Sequence, residues 1–148
     1  MTLPEDMLEN ASIENEIGWK RNNFQTILRR ARQHGLACLG GQFQFRFEDG
    51  TCEMYWLDAD STERKSDESW QNYVQRSLDE VSHNFSRLCA TANFEREIDN
   101  WEFVRMKREQ GIDPMQYLWF VADFLTEDEY NELDKASNEI RSRYKPLP

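Results

Sequence analysis

Apolar and polar residues alternate through Gln42–Leu57, and the two arms of this stretch sort their side chains onto separate faces only if they fold back as an antiparallel hairpin. Asp49-Gly50 supplies the turn. A two-residue type I′ loop closing on Glu48 and Thr51 sets Phe47 opposite Cys52, Phe45 opposite Met54 and Phe43 opposite Trp56. One face is then wholly apolar, while on the other Arg46 meets Glu53 and Gln44 meets Tyr55. Gly40-Gly41, just before the hairpin, reads as a bulge or sharp bend.

Elsewhere the period is helical. Ile13, Ile17, Phe24, Ile27, Leu28 and Ala31 share an arc, which predicts a first helix over about 13–34 with Ser12 as cap and Gly35 as stop. Trp70, Val74, Ser77, Leu78, Val81, Phe85 and Leu88 define the clearest helix, capped by Ser66 after a charged loop over 58–67. A third follows Asn93, with Phe94, Ile98, Trp101 and Arg105 on one side, and ends at Gly111. Asp113-Pro114 opens a fourth. Its run from Met115 to Leu125 is apolar all round except for Gln116 and Asp123, the mark of a central helix. Thr126 and Glu129 form a capping box for a last helix striped by Tyr130, Leu133, Ala136, Ile140 and Tyr144. The fold expected is α+β: an N-terminal helix, one antiparallel β-hairpin, and about four helices packed on it. Residues 1–11 read as a loose acidic arm and 12–148 as a single compact domain.

Composition narrows the function. With 39% hydrophobic and 13% aromatic residues over 148, the chain can bury a core without disulfides or metal. It starts without the basic and apolar regions of a signal peptide, and its longest apolar run, Tyr117–Ala122, is far short of the roughly 20 residues a membrane span needs. Cys38, Cys52 and Cys89 have no metal or redox spacing, so a reducing cytoplasm and buried structural thiols are expected. The net charge of −10 is uneven. Ile17–Phe47 holds six bases and no acid, leaving 12 bases against 28 acids elsewhere. That balance repels nucleic acid and lipid surfaces and favours encounter with a basic protein.

Motifs for chemistry are sparse. Asp58-Ala59-Asp60-Ser61-Thr62 resembles the nucleophile pattern of haloacid-dehalogenase-like phosphotransferases, which implies a parallel sheet wound by βαβ units and magnesium chemistry. Here the segment ends a hairpin, and a solvated loop is the reading taken. Counted as a calcium loop from Asp58, it puts Glu63 at the glycine position and Ser69 at the final carboxylate. His34 and His83 lack ligand spacing, and no glycine-rich phosphate loop is present. No cofactor, metal or catalytic set is expected.

The acids of Asp123, Glu127, Asp128, Glu129, Glu132 and Asp134 have no base between them until Lys135. Dipole compensation explains Glu127, Asp128 and Glu129, and the others suit a clamp on a basic protein. The leading expectation is therefore a small acidic interaction protein that binds, and neutralises, a basic partner, with a profile like that of immunity proteins, antitoxins or nucleic-acid mimics. The first alternative is a ligand-binding or enzymatic domain with a pocket between hairpin and helices lined by Phe43, Trp56 and Trp70. The second is a nucleic-acid binder using Arg29, Arg30 and Arg32 of the first helix, a use the acidic remainder opposes.

Overall fold

The computed structural model describes residues 3–143. Its order is α1 (Glu5–Leu8), β1 (Ser12–Ile13), β2 (Ile17–Trp19), α2 (Phe24–Gln33), β3 (Ala37–Phe47), β4 (Gly50–Asp60), α3 (Trp70–Thr91), α4 (Phe94–Asn100), α5 (Glu102–Glu109), a 3-10 turn (Pro114–Tyr117), β5 (Leu118–Leu125) and α6 (Glu127–Arg143). Among the described residues the five strands form one antiparallel sheet in the order β1-β2-β5-β3-β4. The class is mixed α+β, but the architecture of one hairpin under about five helices is overturned by this sheet.

Two segments expected to be helical are strands. The apolar run before Leu125 is β5, the central strand, and a short run buried on both faces looks alike in a core helix and a core strand. Its Trp119, Phe120, Val121 and Phe124 suit a pleated surface. The predicted first helix begins only at Phe24. Ile13 and Ile17 lie opposite each other in a small hairpin, and Gly18 and Trp19 pair with Val121 and Phe120. Gly18 fits closely there, since a Cβ would stand 3.1 Å from both Trp119 Cβ and Val121 Cγ2 and those side chains would have to shift. The stretch expected as a loose arm contains α1, whose fully buried Met7 accepts at its carbonyl a 2.6 Å hydrogen bond from Trp19 Nε1.

The β3–β4 hairpin forms with a register two residues from the expected one. Phe47 faces Gly50, Phe45 faces Cys52 and Phe43 faces Met54, while Arg46 faces Thr51 and Gln44 faces Glu53. The two-residue shift preserves the faces. Glu48-Asp49 form the loop, and neither these residues nor Gly50 take the positive φ that a type I′ turn requires. Gly50 instead lies under Phe103, whose Cζ would be 3.0 Å from an added Cβ. Beyond Phe43 the pairing jumps to Gln42 opposite Asp58, so Tyr55, Trp56 and Leu57 bulge from β4.

The helical stops and caps mostly follow the sequence. Gly35 and Gly111 have φ of +68° and +86°, Asn93 Oδ1 accepts from Arg96 N, and the Thr126–Glu129 box is closed from both sides. The cap of α3 is Ser69 rather than Ser66, and the predicted third helix breaks at Trp101 into α4 and α5. Tyr144 lies outside the described residues. One face of the sheet receives α2 and α3 through a knot of rings: Phe24, Phe43, Phe85 and Phe120, with centroids 4.6–5.8 Å apart. Emptying one such site by Phe→Ala costs about 3–5 kcal/mol.

Candidate interaction surface

The opposite face of the sheet carries the polar partners of those rings. Reading across β4, β3 and β5, one rung is Glu53–Gln44–Trp119, the next Asp58–Gln42–Val121 and the last Asp60–Gly40–Asp123. The turn between β1 and β2 covers one corner. There Arg46 Nη1 donates to Ser12 Oγ and to the Glu16 carbonyl at 3.1 and 2.9 Å, and its Nε donates to buried Gln44 Oε1. Lys20 stands 4.3 Å over the Trp119 ring. The acidic end of the rungs is exposed: Glu53, Asp58, Asp60 and Asp123 all face solvent.

Gly40 is the floor between Asp60 and Asp123. Leu39 is an extra residue between the rungs of Cys38 and Gly40, and the bulge gives Gly40 a φ of +119°. A Cβ at Gly40 would sit 2.4 Å from Asp60 Oδ1, so the carboxylate occupies space that only glycine leaves open. Burial, and for Asp60 the nearness of Asp58, is visible in the chemistry of these acids. Partial burial, then the hydrogen bond and charge of Asp58, push Asp60 up to about 6, and desolvation raises Asp123. Cys38, fully buried, has its thiol driven far upward by burial, with Asp123 and Asp60 adding to the effect, which is the opposite of what a nucleophile needs.

The six acids predicted as a site divide into three sets. Asp123 belongs to the sheet face. Glu127 and Glu129 act locally, Glu127 through a 2.9 Å ion pair to Arg64 and Glu129 through the capping box with Thr126. Asp128, Glu132 and Asp134 are exposed along α6. Asp58 and Asp60, which the surface reading of the sequence missed, join Asp123. Their signal was the continued alternation Asp58-Ala59-Asp60, with Ala59 buried between exposed neighbours. They lie on an edge strand of an antiparallel sheet, without the parallel strand order that the phosphotransferase resemblance implies.

Phe43, Trp56 and Trp70 are not brought together. Phe43 is fully buried in the ring cluster. Trp56 stacks on Trp101 at 6.2 Å and donates Nε1 to Glu97 Oε2 at 3.1 Å. Trp70 donates Nε1 to the Gly35 carbonyl and contacts the Tyr130 ring. The arginines of α2 are engaged at home: Arg32 with Asp79 at 2.6 Å, Arg30 with Glu9 and the Asp6 carbonyl, and Arg29 with Thr26 Oγ1. Among the described residues no group of three His, Cys, Asp or Glu side chains is placed to hold a metal, and no helix is long and apolar enough to cross a membrane.

No protein family, curated protein or solved structure matches this chain.

Proposed function

We propose that this chain is an acidic interaction protein that binds a basic protein partner through the exposed acidic end of one face of its sheet, around Glu53, Asp58, Asp60 and Asp123. One observation supports the reading above the others: four exposed acids, Glu53, Asp58, Asp60 and Asp123, gather at the ends of neighbouring rungs of the sheet. Several acids elsewhere are paired at home: Glu68 and Glu80 with Arg76, Glu95 and Asp99 with Arg108, Asp49 with Lys107, Glu127 with Arg64 and Asp79 with Arg32. Among the described residues, Glu53, Asp58, Asp60 and Asp123 have no basic partner.

Such a face attracts a basic protein over a Debye length and then offers acceptors for guanidinium forks. Binding would act by occlusion, covering the partner's basic surface as an immunity protein or antitoxin does. The burial of Asp60 and its repulsion by Asp58 are offset when a cationic group arrives, which adds to affinity. The test is capture with the tagged full chain from nuclease-treated lysate over a salt series. A basic protein retained in stoichiometric amount and released by salt is the expected result. Capture without any salt-released basic protein overturns the reading.

A further inference from the structure

Helix α6 is anchored at one end only. Its first turn is held by the capping box, by Glu127 on Arg64, and by Tyr130, whose ring packs on Tyr73 and Trp70 and whose hydroxyl accepts from Arg64 N. None of its 17 residues is buried. Beyond Tyr130, no hydrogen bond or ion pair ties the helix to another element among the described residues. Leu133 and Ile140, two turns apart on one side, are 49% and 54% exposed. A polar helix about 25 Å long with half its length unsupported is marginal in water, so its apolar stripe calls for a cover.

The charges on either side of that stripe say what the cover is. Leu133, Ala136, Ser137 and Ile140 form the stripe. Along one flank lie Asp134 and Arg141, along the other Glu132 and Arg143. Each pair is centred on the same point, between Ser137 and Asn138. A twofold axis through that point, perpendicular to the helix, therefore brings Asp134 against Arg141 of a second copy and Glu132 against Arg143, on both flanks at once. The small Ala136 and Ser137 fall where the helices cross, and Leu133 and Ile140 close over them. A parallel pairing sets like charges together on both flanks instead.

We infer that α6 is a dimerisation helix, pairing antiparallel with α6 of a second copy through Leu133 and Ile140, with register set by Glu132–Arg143 and Asp134–Arg141 contacts between copies. The cleft of about 330 Å³ beneath α6, lined by Tyr73, Tyr130, Leu133, Ser137 and Arg141, continues the same surface and gives the second copy's side chains room to enter. This inference goes beyond the proposed function and does not rest on it, since the contacts between copies are made by α6; Asp60 alone is shared, as part of the cleft lining.

The test is the oligomeric state of the full chain by sedimentation up to about 100 μM. The wild type is expected to dimerise. Glu132→Arg alone and Arg143→Glu alone should each weaken the dimer by about tenfold or more, and the two together should restore it, because the swap rebuilds both contacts with reversed sign. Leu133→Asp with Ile140→Asp should give a monomer with an unchanged near-ultraviolet spectrum of the body. A wild type that stays monomeric, a dimer indifferent to Leu133→Asp with Ile140→Asp, or a charge swap that fails to restore association would each overturn the inference.

Discussion

Arg76 and Glu68 meet as a two-pronged pair, Nε on Oε2 and Nη2 on Oε1, both at 2.7 Å. The same guanidinium donates to the Glu63 carbonyl, to Thr62 Oγ1 and to Glu80 Oε1, so one α3 side chain fastens the loop between β4 and α3. Arg76→Gln should release that loop, and amide exchange over 62–68 should accelerate by about tenfold or more while the ring cluster keeps its protection. Arg76→Lys should fail to rescue it, since an ammonium cannot span both oxygens and the carbonyl. The pair also fixes a pH dependence. Arg76 holds Glu68 down to about 2 from an ordinary 4.5, so its stabilisation is present above pH 4.5 and is lost as the pH falls through about 2. Acid unfolding of Arg76→Gln should lose that window.

Gly41 passes so near β5 that a Cβ would lie 2.0 Å from the Val121 carbonyl oxygen and 2.8 Å from Ala122 Cα. Both obstacles are backbone of the central strand. Gly41→Ala should therefore destabilise by roughly 3 kcal/mol or more in urea unfolding. Gly111→Ala meets nothing within 4 Å and pays only for its φ of +86°, about 1–2 kcal/mol. Equal losses at the two sites would contradict the close approach of β3 to β5.

Asp60 gives a pH effect of opposite sign. Its folded value of about 6 exceeds its ordinary 3.8, so the native state takes up the proton more readily, and stability falls as pH rises through that interval. Asp60→Asn should be more stable than wild type at pH 7, with the difference shrinking toward pH 4. Denaturant unfolding at several pH values measures it, and a variant less stable at pH 7 would show that burying the Asp60 carboxylate beside Asp58 costs nothing. Binding of a basic partner should weaken below pH 6 as Asp60 takes up its proton.

Much of the local chemistry was legible in the sequence and much of the topology was not. The ring face of the hairpin, the α3 stripe, the glycine stops at 35 and 111 and the capping box at Thr126 depend on neighbours in sequence. The sheet depends on partners about 100 residues apart: Gly18 with Val121, Trp19 with Phe120. Nothing local distinguishes Leu118–Leu125 as strand from a buried helix, and that single ambiguity removed the centre of the sheet. The candidate site suffered the same loss. Asp123 was visible as an acid near α6, but its neighbours Asp58 and Asp60 became so only through β3, with Gly40 between them.

The most direct test of the account is capture from lysate with three baits: the wild type, a sheet-face variant carrying Asp58→Lys, Asp60→Lys and Asp123→Lys, and an α6 variant carrying Asp128→Lys. The account predicts that wild type and the α6 variant retain the same basic protein and release it with salt, while the sheet-face variant, folded by circular dichroism, retains none. Retention of that protein by the sheet-face variant at wild-type level and with the same salt dependence would contradict it.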